Sequence, residues 1–325
     1  MSKVYIAGRI PKAAEATLRQ VELDVDVYDG EQLIDPQTLR SHVADADYLI
    51  TPLSTPVDAA TLAHAPKLKL IANFGVGTSN IDVQAALDRG IAVTNTPDVS
   101  AVATAESTVG LIVSLAHRIV EGDQLMRTRG FNGWAPLFFL GHELQGKTLG
   151  IVGLGQIGRE VAKRLHAFDM PIVYYQRHRL PVEQEVQYGA RYVSFDELLT
   201  QADVVSLHLT NNATTRHMIG AAEFKKMKPS ALFINAARGQ IVDEAALVNA
   251  LTAHEIAGAA LDVYEHEPAV EPALKRMANV ILTPHLGNAT VEARNAMAAI
   301  VTNNVLAAES GRPLCHLVTG VQGID

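Results

Sequence analysis

The stretch that most constrains the fold is Leu149-Gly150-Ile151-Val152-Gly153-Leu154-Gly155-Gln156-Ile157-Gly158. An apolar run enters Gly-x-Gly-x-x-Gly, and the following residues place Ile157, Val161, Leu165 and Phe168 on one face of a helix. Strand, tight turn and helix in that order make one unit of a parallel α/β layer. In such a unit Gly153 permits the turn, Gly155 lets the backbone approach a pyrophosphate, and Gly158 lets helix and strand pack closely. The helix N-terminus offers free amides and the positive end of its dipole to the phosphates. The stretch therefore predicts a dinucleotide-binding turn.

A chain of 325 residues is long for one core, so two domains are expected. The balance of 48% hydrophobic and 19% charged residues is that of a globular protein. A net charge of −8 gives no basic surface for nucleic acid or membrane. The one cysteine, Cys315, rules out a disulfide framework within the chain, fits a reducing cytosol and is expected to be a small buried residue. No charged segment with a long apolar core precedes the first strand, and the apolar run Val109 to Ala116 is too short to span a bilayer. A cytoplasmic protein is expected.

Before residue 100 the chain alternates short strands (Val4-Ala7, Asp24-Tyr28, Tyr48-Ile50, Leu70-Asn73, Ile91-Thr94) with helical segments, which predicts a parallel α/β layer without a glycine fingerprint. Thr104 to Arg127 reads as one long helix, apolar on more than one side. The aromatic segment Phe131 to Gly141 reads as a loop that covers a neighbour. Further strands are predicted at Leu149-Val152, Ile172-Tyr175, Val204-Leu207, Ala231-Asn235, Ala257-Leu261 and Val280-Leu282, and a helix at Val291 to Ala308.

Where a ribose-binding acid would end the second strand of the dinucleotide unit, the chain carries Gln176, followed by Arg177 and Arg179. A carboxylate there repels a 2′-phosphate, whereas guanidinium groups bind one through forked hydrogen bonds. NADPH is thus the preferred cofactor expected, with NADH as the alternative.

Three motifs then follow strand ends: Asn235-Ala-Ala-Arg238-Gly239, Leu261-Asp262-Val-Tyr-Glu265-His266-Glu267-Pro268, and Thr283-Pro-His285-Leu-Gly287. An arginine can hold a carboxylate and polarise the neighbouring carbonyl. A histidine can supply a proton, and a paired glutamate favours its charged form. Arg238, Glu267 and His285 are the candidates for these roles. The 12 histidines are scattered without ligand spacing, so no metal site is expected.

Together with Asn73-Phe-Gly75-Val-Gly77-Thr-Ser-Asn-Ile-Asp82 and Val99-Ser-Ala-Val-Ala-Thr104-Ala-Glu106, these motifs make the chain resemble the D-isomer-specific 2-hydroxyacid dehydrogenases over nearly its whole length. Within that family it looks most like the glyoxylate/hydroxypyruvate reductase group. The resemblance implies hydride transfer between a nicotinamide cofactor and a D-2-hydroxy acid, and reduction of a short 2-keto acid in this group. Arg238, Glu267 and His285 match the catalytic positions. Val76 and Gly77 match the amides that bind the substrate carboxylate, and Leu53 falls in a pocket-lining loop. Thr104, Gln156, Ile157, Ala236 and Asp262 match cofactor contacts; of the glutamates, Glu267 rather than Glu265 fits the pattern.

The same resemblance implies two doubly wound parallel-sheet domains, with a Rossmann cofactor domain (101–287) inserted into a flavodoxin-like substrate domain (1–100 and 288–325). It also implies closure that excludes water, and a homodimer whose Trp134 loop reaches the partner's active site. A D-lactate-like or D-3-phosphoglycerate dehydrogenase is a second reading; the short stretch after His285 leaves no room for the regulatory domain that many of the latter append. A third is a non-catalytic dinucleotide-sensing scaffold of this fold.

Overall fold

The computed structural model describes residues 1–318; the expected end of the C-terminal segment, 319–325, lies outside the described residues. The chain divides into two compact units, one from Met1–Ser100 with the segment beginning at Ala289, the other Ala101–Asn288.

In the first unit the elements are β1 (Lys3–Ile6), α1 (Lys12–Gln20), β2 (Asp24–Val27), α2 (Pro36–Val43), β3 (Tyr48–Pro52), α3 (Ala59–Ala63), β4 (Leu70–Phe74), α4 (Val83–Leu87) and β5 (Ala92–Thr94). The strands are parallel in the order β2-β1-β3-β4-β5, the flavodoxin-like arrangement. Aspartates start three of the helices. Asp35 accepts hydrogen bonds from the Gln37 and Thr38 amides, Asp58 from Thr61 and Asp82 from Ala85. Strand residues alternate between two buried faces: Tyr5, Leu49 and Ile71 join one cluster, and Val4, Ile6, Tyr48, Ile50 and Leu70 the other.

The second unit holds α5 (Ala101–Ala116), α6 (Ile119–Thr128), β6 (Leu149–Val152), α7 (Gln156–His166), β7 (Ile172–Tyr175), α8 (Val182–Tyr188), β8 (Ala190–Tyr192), α9 (Phe195–Gln201), β9 (Val204–Leu207), α10 (Ala221–Phe224), β10 (Leu232–Asn235), α11 (Glu244–Thr252), β11 (Gly258–Leu261) and β12 (Val280–Leu282). Its parallel sheet runs β12-β11-β10-β9-β6-β7-β8, so the winding reverses at β6. Residues of α5 and α7 (Ile112, Leu115, Val161, Leu165) cover one face, and residues of α9, α10 and α11 (Leu198, Phe224, Leu247) the other. The last helix, α12 (Val291–Glu309), returns to the first unit and packs Met297, Val301 and Val305 on Leu70 and Ala72. Among the described residues no helix is long and apolar enough to cross a membrane.

Three expectations need correction. The single helix over 104–127 is two: Arg118 breaks it with a left-handed φ of 56° and fixes the break by a forked pair with Glu121. Periodicity cannot register that break, because the apolar residues continue through it. Phe168 lies beyond the end of α7 and is 42% exposed, so it does not extend the buried face of Val161 and Leu165. Cys315 is exposed, in a segment whose amide is held by the Asn304 side chain. The short strand β8 had no counterpart among the expected elements.

At the glycine turn each residue type has a separate cause. Gly153 has φ +96°, and a Cβ on it would lie 2.5 Å from the His208 carbonyl oxygen. A Cβ on Gly158 would lie 2.3 Å from the Gly153 carbonyl oxygen, an obstruction by backbone that cannot swing away. The Gly158→Ala variant should therefore lose about 1–3 kcal/mol of stability by overpacking. Denaturant unfolding measures it, and an unchanged midpoint would contradict the turn geometry.

His208 follows β9, with Nε2 2.9 Å from Ser206 Oγ and a buried Nδ1. Burial pushes its pKa down from 6.5 to about 4. Above pH 6.5 neither folded nor unfolded chain carries this proton; between 6.5 and 4 only the unfolded chain takes it up, so stability falls with pH in that window. His208→Asn should flatten the stability profile between those limits, measured by urea unfolding at a series of pH values. An unchanged slope would refute the assignment.

Candidate active site

In the second unit, all the candidate residues except Thr104 gather at the carboxyl ends of the parallel strands. The glycine turn follows β6, at the point where strand order reverses, which is where open α/β sheets form their ligand crevice. Gly155 precedes α7, and the space where its side chain would stand is open. The first amides of α7, at Gln156 and Ile157, face that opening as a helix N-terminus does. These residues fit a dinucleotide: the backbone can be approached closely at Gly155, and no side chain stands in the way.

Gln176, at the expected acid position, has a structural task. Its Oε1 accepts from the Leu154 amide at 3.0 Å, and its Nε2 donates to the His178 carbonyl at 2.6 Å, which ties the β7 loop to the glycine turn. Arg177 is exposed and donates from Nε to His178 Nε2 at 3.2 Å. Arg179 is held by Glu185 through two bonds of 2.8 Å.

Asn235 ends β10 and shapes the next loop: its Oδ1 accepts from Ala237 N at 3.1 Å and its Nδ2 donates to the Arg238 carbonyl at 3.0 Å. Ala236 and Ala237 are buried there. The half-buried Arg238 donates from Nη1 to the Ala237 carbonyl at 2.6 Å. Desolvation lowers the guanidinium's pKa from its ordinary value, the charge of Glu267 opposes that, and the group stays charged. Gly239 presses on the loop after β11 so closely that a Cβ would lie 1.9 Å from the Tyr264 carbonyl carbon and oxygen.

The loop after β11 is anchored at both ends. Asp262, 1% exposed, accepts from Thr283 Oγ1 at 2.6 Å and from the Leu286 and Gly287 amides at 2.8 Å each. Thr104, near the start of α5, borders the same point: its Cγ2 lies 3.3 Å from where a Gly287 Cβ would be. Glu267 accepts from the Tyr264 amide at 3.0 Å through Oε1 and from His285 Nδ1 at 2.9 Å through Oε2. Burial raises the Glu267 pKa, yet the His285 hydrogen bond and charge, the Tyr264 amide and Arg238 outweigh it and bring it below the usual carboxylate value. His285 is in the left-handed region, φ 53°, and its side chain is 40% exposed. Glu265 points elsewhere, to His217 Nε2 at 2.5 Å, while its amide is held by Glu244 at 2.7 Å. The geometry separates the two glutamates without reference to any family. Among the described residues no group of His, Cys, Asp or Glu is arranged to hold a metal ion.

The first unit has its own candidate loop after β4. Two asparagines take up its carbonyls, Asn73 Nδ2 donating to Gly77 O at 2.6 Å and Asn95 Nδ2 to Val76 O at 2.8 Å, while Asn80 Nδ2 braces Asn73 by linking its Oδ1 to Thr55 O. These bonds fix the Val76 and Gly77 carbonyls against side chains of the same unit. Leu53 lies against this loop, 2.3 Å from where a Gly75 Cβ would be.

Sequence reasoning did not single out His208, Glu185, Glu244 or the Asn95 support. Only His208 had a local signal, the end of the apolar run Val204-Val-Ser-Leu207 in a sheet of this kind.

The profile of the D-isomer specific 2-hydroxyacid dehydrogenase NAD-binding domain matches residues 109–287. A Staphylococcus epidermidis protein with a provisional 2-hydroxyacid dehydrogenase name is 54% identical over 94% of this chain and 96% of its own. A glyoxylate reductase from Paecilomyes thermophila has a structure that matches with a TM-score of 0.84 at 37% identity, over 98% of both chains. An NADPH-dependent glyoxylate/hydroxypyruvate reductase from Sinorhizobium meliloti, solved with NADP and malonate, matches with a TM-score of 0.84 at 30% identity, over 100% of this chain and 98% of that one. Two wound parallel sheets, the residues gathered at their strand ends and these likenesses agree: the chain belongs to the D-isomer-specific 2-hydroxyacid dehydrogenases, a family of NAD(P)-dependent oxidoreductases.

Proposed function

We propose that this chain is a cytoplasmic reductase that converts a short 2-keto acid to the 2-hydroxy acid, glyoxylate to the achiral glycolate or hydroxypyruvate to the D-isomer of glycerate, with NADPH as preferred reductant. The observation that carries the reading is the His285–Glu267 hydrogen bond within a strand-end cluster that includes Arg238. The nicotinamide supplies the hydride when bound. Arg238 binds the substrate carboxylate and polarises its keto carbonyl, an effect strengthened by partial desolvation of its guanidinium. Glu267 takes the Nδ1 proton of His285 in a hydrogen bond, which leaves Nε2 to protonate the carbonyl oxygen. The Val76 and Gly77 amides bind the carboxylate, and Leu53 bounds the substrate's side chain.

The cofactor's pyrophosphate would rest on Gly153, Gly155, Gln156, Ile157 and Gly158, with Thr104, Ala236 and Asp262 as further contacts. Gln176 brings no charge against a 2′-phosphate, and guanidinium groups follow it. That composition supports NADPH. The first unit would serve the substrate and the second the cofactor.

A homodimer accounts for the surface after Arg118. Ile119, Met126, Phe131, Trp134, Leu137, Phe138 and Leu140 are 46–84% exposed, and α6 buries none of its residues. Monomers seldom leave so many large apolar side chains in water along one segment. A second copy would cover them and bring Trp134 to its partner's site.

The test is an assay of the purified protein with glyoxylate, hydroxypyruvate, pyruvate and phosphohydroxypyruvate, each with NADPH and NADH. The highest kcat/KM is expected with one of the first two and NADPH; no oxidation of either cofactor with any substrate would refute the reading. Arg238→Ala should lower kcat/KM by at least about a hundredfold, as loss of a charge-stabilising donor does. His285→Ala should lower kcat by about 10²–10⁴-fold with cofactor affinity retained. Turnover preserved in either variant would remove that residue from its role. Sedimentation should give a dimer mass, and Leu137→Asp with Phe138→Asp should shift it to monomer; a monomeric wild type would contradict the dimer.

A further inference from the structure

The two arginines after β7 are in different electrostatic states. Glu185 on α8 is 8% exposed and grips Arg179 with both carboxylate oxygens, 2.8 Å from Nε and 2.8 Å from Nη2. The same carboxylate accepts from the Tyr174 hydroxyl at 2.8 Å, and that hydroxyl accepts from the Leu180 amide at 2.9 Å. Arg179 also lies over the Tyr192 ring, 5.8 Å from its centre, and the Tyr192 hydroxyl donates to the Gln176 carbonyl at 3.3 Å. The loop is therefore fixed from both sides, through Glu185 at one end and Gln176 at the other. A forked carboxylate neutralises the guanidinium it holds and occupies the Nε–Nη2 edge, two of its five N–H donors. Arg177 stands one residue past Gln176, exposed, with its charge matched by no carboxylate among the described residues.

We propose that Glu185 is a specificity-determining residue: it withdraws Arg179 from a 2′-phosphate and leaves Arg177 as the guanidinium that binds it. Arg179 then acts as a positioning residue that ties the loop to α8. The proposal rests on the NADPH reading above, and predicts a selectivity set by one guanidinium where the sequence shows two.

Calorimetry with 2′,5′-ADP and 5′-AMP, which differ by the 2′-phosphate, measures the selectivity without turnover; kinetics with NADPH and NADH repeat it in the active enzyme. Arg177→Gln should lower the preference for the 2′-phosphate about tenfold or more, the worth of a hydrogen bond to a charged group. Arg179→Gln should leave the preference unchanged while weakening both ligands alike. Glu185→Gln, which keeps the shape and releases Arg179, should raise the preference by a similar factor. The double variant Glu185→Gln with Arg179→Gln should return it to the wild-type value. An Arg179→Gln loss equal to that of Arg177→Gln, or an unchanged preference in Glu185→Gln, would overturn the proposal. Equal affinity of the wild type for the two probes would refute the NADPH preference and with it the role of Arg177; the Glu185→Gln comparison would still decide whether Glu185 withdraws Arg179, since releasing that arginine raises the ratio from any starting value.

Discussion

The second unit turns on one buried carboxylate. Asp262 is almost wholly removed from water, a position a charge occupies only when its hydrogen-bonding capacity is filled. It is filled by the Thr283 hydroxyl and the Leu286 and Gly287 amides, so the segment after β12 is clamped to the end of β11. His285 lies inside that clamp, in a left-handed backbone conformation that an unrestrained histidine rarely adopts. The clamp presents the imidazole to Glu267, which leaves the same loop five residues after Asp262. Because the aspartate supplies the backbone restraint, the glutamate is left to orient the imidazole through Nδ1.

The rest of the site follows the same division between groups that hold and groups that act. Asn235 shapes the turn that carries Arg238, and Gly239 lets that turn rest on the Tyr264 backbone. In the first unit Asn73 and Asn95 absorb the Gly77 and Val76 carbonyls, and Asn80 braces Asn73. Gln176 ties the end of β7 to the glycine turn. Neutral amides do this work without adding charge to the strand ends.

How much of this was legible in the sequence depended on range. Parallel strands buried on both faces leave short continuous apolar runs, and of the twelve strands among the described residues eleven came within a residue or two of their expected positions, the exception being the three-residue β8. The glycines at 153 and 158 were legible because backbone contacts force them. The Arg238, Glu267 and His285 motifs each stood beside a punctuated strand end. What stayed hidden was side-chain direction and partnership. No local pattern tells that Arg179 is captured by Glu185, that Glu265 turns towards His217, or that Cys315 faces water. The break at Arg118 was hidden because a left-handed residue interrupts a helix without interrupting its apolar periodicity.

In the proposed reaction the clamped His285–Glu267 pair delivers a proton and Arg238 orients a 2-keto acid for hydride attack on one face. Chiral chromatography of the glycerate formed from hydroxypyruvate tests it most directly. The account predicts D-glycerate alone; L-glycerate, or a racemic product, would contradict it.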